Sequence, residues 1–164
     1  MTTPSQNMFL DLEGTVIEDW DSFRLMTENI RSIRHALEHR KIKEVHIFSF
    51  AIHDEADVAR FVSELQPTLE RHLQVPIVGV HTIQEMKHVD EVWRGCRLFD
   101  MSEFILLRGK QGAFESWAAS KHPGQSSALI DDVVPNLILN NLDTQTQTWF
   151  HNITAIVDIW KSWR

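Results

Sequence analysis

The chain has 164 residues and a formal net charge of −7, so at long range it repels nucleic acid and acidic membranes. Its 43% hydrophobic and 24% charged residues suit one globular domain over residues 1–164 and exclude a disordered chain. Its single cysteine, Cys96, excludes an internal disulfide, no apolar run nears the roughly 20 residues of a membrane span, and "MTTPSQN" lacks the basic and apolar regions of a signal peptide, so the sequence predicts a cytoplasmic protein.

In chain order, "MFLDL" predicts a first strand at about 8–12, followed by a turn-rich stretch to Trp20. "DSFRLMTENIRSIRHALEHRKIK" reads as a helix capped by Asp21 or Ser22, with Phe23, Met26, Ile30, Ile33 and Leu37 near a spacing of three to four. "VHIFSF" at 45–50 is a short buried strand. "DEADVARFVSELQPTLERHLQ" opens with acidic residues at a helix start, and Pro67 must kink or divide it. "VPIVGV" is the third strand, followed by a helix around 82–94, an irregular piece, a turn of helix at 101–107 and a helix from about 110 to 120. "SALIDD" at 127–132 and "QTQTWF" at 145–150 are the fourth and fifth strands, and "ITAIVDIWKSW" closes the chain as an amphipathic helix. Such alternation predicts an α/β, Rossmann-like three-layer sandwich around a mostly parallel five-stranded sheet.

In open parallel sheets, ligands sit beyond the carboxyl ends of the strands, where strand order reverses. Polar residues end three predicted strands: Asp11 with Glu13, Ser49, and Asp131 with Asp132. His81 ends the third and is expected farther out. Two neighbouring carboxylates raise each other's pKa, so the pair in "DLEGT" needs a compensating cation.

These residues resemble the haloacid dehalogenase superfamily of phosphatases, whose first motif, of the form hhhDxDGT, stands here as "MFLDLEGTV" with Asp11 at the nucleophile position. "VHIFSF" with Ser49 is similar to the second motif, Lys110 in "RGKQGAFESW" to the third, and "ALIDDVVPN" to the fourth. The four keep the family's order over residues 8–136. Arg108 and Lys87 are the alternatives for the basic position. Glu13 departs from the usual Asp, as it does in enolase-phosphatase-like members with a DxEGT motif.

The resemblance implies a Mg²⁺-dependent phosphohydrolase acting through an aspartyl phosphate. Asp11 would attack phosphorus, and Glu13 would protonate the leaving oxygen and then activate water. Lys110, Ser49 and backbone N–H groups around Gly14 and Thr15 would hold the phosphate, and Asp11, Asp131, Asp132 and the Glu13 carbonyl would hold the metal. Only 33 residues separate Thr15 from Ser49 and 60 separate Ser49 from Lys110, which leaves no room for a large cap domain. The expected substrate is a small phosphorylated metabolite or nucleotide, with a second copy closing the open site as a homo-oligomer. Alternatives are a nucleic-acid end (3′-phosphate) phosphatase and a phospholigand-binding module with weak turnover.

Other clusters read more plainly. His35 and His39 share a helix face without a third metal ligand in sequence, and Arg31, Arg34, Arg40, Lys41 and Lys43 read as a solvated basic face. Trp149, Trp160 and Trp163 are expected in core packing or a subunit contact. Trp20, just after the first motif, is the candidate for stacking on a substrate base, and Cys96 is a structural thiol.

Overall fold

Alternating side chains decide how the apolar runs pack. In the first strand Met8 and Leu10 point to one face of a sheet and Phe9 to the other, and all three are buried. The computed structural model describes residues 6–162; Trp163 and the start of "MTTPSQN" lie outside the described residues. The elements run β1 (Asn7–Leu10), α1 (Thr27–His39), β2 (Val45–Phe48), α2 (Glu55–Glu64), α3 (Gln66–Leu73), β3 (Ile77–His81), α4 (Ile83–Arg94), α5 (Met101–Lys121), β4 (Ser126–Asp131), β5 (Leu137–Asn141), β6 (Thr146–Asn152) and α6 (Ile153–Ser162).

The strands form one sheet in the order β3-β2-β1-β4-β6-β5. Every pairing is parallel except that of β5 with β6. Leu10 pairs with Ile47 of β2 on one side and with Ile130 of β4 on the other. The chain therefore builds outward from β1 through β2 and β3, then returns to the other flank of β1 with β4. This is the strand-order reversal at which α/β sheets bind ligands.

Two cores fix the layers. Met8, Leu10, Ile47 and Ile130 pack with Ile33 of α1, Phe61 of α2, Leu69 of α3 and Ile156 of α6. Phe9, Phe48 and Leu129 pack on the opposite face with Met86 of α4 and Phe104 and Phe114 of α5. Each large apolar side chain so buried contributes about 1.5–3 kcal/mol.

Among the described residues the sheet has six strands where five were expected. The missed strand, β5, is an edge with alternating half-buried and exposed residues, and among the described residues it pairs with β6 alone. A hairpin partner on an edge needs no fully apolar run, so "LILNN" carries a weak signal. The expected helix from Asp21 is also shorter. Residues 11–26 form a small flap, with Ile17 bridged to Leu25 and the Glu18 N–H bonded to Arg24 O at 2.8 Å. Phe23 turns there with φ 53°, and its place in the apolar series reflects half-burial of the flap against the core, not a helix face. Asp21 and Ser22 cap no helix; Asp19 Oδ1 accepts from Ser22 N at 2.7 Å.

Other local expectations match. Asp54 caps α2 by accepting from Asp57 N at 3.0 Å, and the helix divides at Leu65, with Pro67 in the first turn of α3. The two helical pieces at 101–107 and 110–120 meet at Gly109, whose φ of 59° and ψ of −170° kink α5. Residues with a side chain avoid that conformation.

Candidate functional site

Asp11 is the first residue beyond β1, and its N–H still bonds to Ile130 O of β4 at 3.0 Å. Its backbone is thus pinned to the sheet at the reversal point while its side chain leaves the ladder. Asp131 ends β4 and Asp132 follows it, and Ser49 follows β2. Lys110 enters from α5, directly after the Gly109 kink. Its Nζ lies 2.7 Å from Asp11 Oδ1, 3.2 Å from Phe48 O and 3.3 Å from Asp131 Oδ2.

Of the three basic candidates, Lys110 is the one whose ammonium lies in the carboxylate cluster. Arg108 donates to Asp90 at 2.8 Å and Lys87 to Glu91 at 2.6 Å, so both alternatives are engaged elsewhere. Lys110 is 8% exposed and Asp11 5%, and burial of both ions leaves water little part in screening them. The Phe50 ring centroid lies 4.7 Å from Lys110 Nζ and closes one side. Phe50 went unread in the sequence; its place directly after Ser49 was the available signal.

Charge is not balanced here. One carboxylate oxygen each from Asp11, Asp131 and Asp132 lie within 4.8 Å of one another, against one ammonium. Asp131 Oδ1 accepts from Val133 N at 2.8 Å. Its Oδ2 is near Lys110 in distance only and has no hydrogen-bond partner. Burial pushes the Asp11 carboxyl up, Lys110 pulls it back, and Asp131 pushes it up again, leaving it raised. Asp132, at the rim, is pushed up to about 6 by partial desolvation and by the charges of Asp11 and Asp131. A buried acceptor without a partner inside an all-oxygen, over-negative cluster suits a hard divalent cation. No histidine joins such a three-ligand group among the described residues.

The flap supplies the remaining wall. Gly14 has φ 75°, a conformation that residues with a side chain rarely adopt, and a Cβ there would press on the Asp132 carboxylate, so glycine lets the flap pass the cluster. The N–H groups of Gly14 and Thr15 were expected to face a phosphate. Both are taken up inside the turn instead, by Ile17 O at 2.8 Å and Leu12 O at 3.1 Å. The Thr15 hydroxyl is buried and donates to Asp11 Oδ2 at 3.2 Å. Thr15 therefore orients Asp11, a role set by the tight turn that follows the strand.

Glu13 is exposed, and its Oε2 accepts from Trp20 N at 3.1 Å. Trp20 is not a free stacking platform: the Arg60 guanidinium carbon sits 5.0 Å from its ring centroid and 4.1 Å from that of Phe23. Arg60 also donates to Asp21 O at 3.3 Å, tying the flap to α2. Ser49 is buried, and its Oγ accepts from Ala51 N at 3.2 Å.

Asp11, Glu13, Ser49, Lys110, Asp131 and Asp132 line one depression of about 170 Å³, rimmed by Phe50, Ala51 and Val133. It is shallow and open, with no folded layer above it among the described residues. A larger hollow of about 720 Å³ lies on the flank of the sheet, where His46 Nδ1 and His81 Nε2 are 3.1 Å apart. None of the six strand-end and helix residues reaches it. Fold and site together define an α/β protein with a lysine-bridged carboxylate centre at the strand-order reversal of its sheet. No family model, curated protein or solved structure matches the chain.

Proposed function

We propose that the chain is a Mg²⁺-dependent phosphohydrolase of the haloacid dehalogenase type, acting through an aspartyl phosphate on a small phosphorylated metabolite or nucleotide. The observation that carries the reading is the Lys110 ammonium 2.7 Å from Asp11, within a cluster of three carboxylates that one cation does not neutralise. Asp11, Asp131 and Asp132 are the residues that would hold the metal, whose charge, when bound, would let a carboxylate approach a phosphate dianion.

Thr15 and Lys110 each hold one oxygen of Asp11, which fixes the carboxylate for in-line attack. As the Asp11 oxygen bonds to phosphorus, the bond to the leaving oxygen breaks, and Glu13 gives that oxygen its proton. Glu13 then takes a proton from water as the water oxygen attacks the aspartyl phosphate; inorganic phosphate leaves and Asp11 is restored. Lys110 and the Ser49 hydroxyl stabilise the charge on the non-bridging oxygens throughout. The openness of the depression suits closure by a second copy of the chain.

Phosphate release from a panel of nucleotides, sugar phosphates and phosphorylated oligonucleotide ends, with and without Mg²⁺, tests the reading. Turnover that needs both Mg²⁺ and Asp11, and disappears in Asp11→Asn, is expected. Mg²⁺ should also bind less tightly below about pH 6, where Asp132 takes up a proton. Mg²⁺ binding without any turnover would leave a phospholigand-binding module and overturn the enzyme reading.

A further inference from the structure

On the face of the sheet opposite Lys110, a slot of about 370 Å³ opens between α1 and α6. Its floor is Met8 and Ile130, and Ala36 and Ile156 form its walls. The slot is thus deep and apolar, within the size range of small-molecule sites. One end is different. Arg40, at the C-terminal end of α1, lines it there together with His151.

Arg40 belongs to the basic run whose residues read as a solvated face, yet its guanidinium is held in place. NH1 donates to Gln6 Oε1 at 3.0 Å and lies 3.0 Å from His151 Nε2. Burial, then the neighbouring Arg40 charge, push the His151 pKa down to about 4, so the ring is neutral near pH 7 and Nε2 serves as the acceptor. Both partners are neutral and both use NH1. The Nε and NH2 edge, which pairs with a carboxylate in bidentate fashion, has no hydrogen-bond or ion-pair partner among the described residues.

We infer that this slot is a binding site for a small amphipathic carboxylate, whose apolar body lies on Met8 and Ile130 and whose head pairs with the free edge of Arg40. The site is separate from the carboxylate centre and does not depend on its proposed chemistry. Charge complementarity selects the ligand: although the chain as a whole carries −7, an arginine at an apolar slot with only neutral partners attracts, at short range, an anion that brings its own apolar surface.

Calorimetric titration with octanoate, and with octanamide as its uncharged counterpart, tests the assignment. Saturable one-to-one octanoate binding is expected, with octanamide at least tenfold weaker. Arg40→Met should reduce octanoate to the octanamide level, and Ala36→Phe, which fills the slot, should abolish binding of both. Asp132→Asn should bind octanoate as the unmodified chain does. Equal binding of the two ligands, undiminished binding by Arg40→Met, or binding that survives Ala36→Phe would overturn the proposal. So would the absence of saturable binding, or loss of octanoate binding in Lys110→Met with Arg40→Met unaffected, which would move the anion to the other site. Arg40 is exposed, so its variant keeps the fold, and an unchanged melting curve checks this.

Discussion

Two buried carboxylate centres lie along α5, and they are solved in opposite ways. Asp90 has no exposed surface, yet it accepts from Arg94 at 2.7 Å, Arg108 at 2.8 Å and Ser116 at 2.9 Å. Burial pushes its pKa up, but the hydrogen bonds from Arg108, Arg94 and Ser116 outweigh it, and the group stays lowered. At the other centre three carboxylates gather around one ammonium, which pairs with Asp11 and lies near Asp131; one acceptor is unpartnered, and two of the groups are raised. A buried acid is therefore not by itself the mark of a functional site. What distinguishes the other centre is its deficit of compensating charge, which leaves a place for a ligand that completes the set.

The sharpest test of that contrast is Lys110→Met. Removing the one cation leaves three carboxylates to repel each other, so metal-free stability should fall by about 3–5 kcal/mol at pH 7. The loss should shrink at pH 5 as Asp132, raised to about 6, takes up its proton, and Mg²⁺ should restore more stability to the variant than to the unmodified chain. Urea denaturation at both pH values reads this out, and a variant as stable as the parent would break the comparison.

Asp90→Asn probes the balanced centre. It strips two arginines of their shared partner and should cost about 3 kcal/mol, seen as a melting temperature lower by about 6–12 °C. Mg²⁺ affinity should not change. A folded variant that loses Mg²⁺ would show that the two centres are one network.

A third way to bury a titratable group is to keep it neutral. His81 is held near pKa 4, by burial first and then by the charges of His46, His122 and Lys121. The unfolded chain, with its ordinary value near 6.5, therefore takes up the proton first on acidification. Stability is fully present above pH 6.5 and drains away down to pH 4, by about 2–3 kcal/mol for this residue. Chemical denaturation at pH 7 and pH 4.5 should show a flatter profile in His81→Gln.

The smallest expected change is Gly14→Ala. The left-handed φ of 75° costs about 1–2 kcal/mol with a side chain, and the new Cβ displaces the Asp132 carboxylate. Mg²⁺ affinity should drop about tenfold, measured calorimetrically, while the Asp11–Lys110 pair is untouched. An unchanged affinity would remove Asp132 from the metal set.

Much of the site could be read along the chain because each piece of it is local. Asp11, Ser49 and Asp131 stand where apolar runs stop, and a run that stops at a polar residue marks a strand end whatever the rest of the fold does. Lys110 was legible as a candidate only. What separates it from Arg108 and Lys87 is that Asp90 and Glu91 take up the other two cations, and Asp90 lies 18 residues from Arg108. The flap misled the periodicity for the same reason: Phe23, read as the first apolar position of the helix, packs half-buried onto the core through a turn with φ 53°.

Hydrophobic period and backbone preference act over a few residues, so the α/β alternation, the strand ends that carry the acids, the division at Pro67 and the break at Gly109 could all be read along the chain. The order β3-β2-β1-β4-β6-β5, the sixth strand, the engagement of the Gly14 and Thr15 N–H groups and the docking of Arg40 on Gln6 and His151 come from the assembled fold alone. Those depend on which distant groups meet, and a pairing across 99 residues such as Lys110 with Asp11 leaves no trace in the spacing of either residue's neighbours.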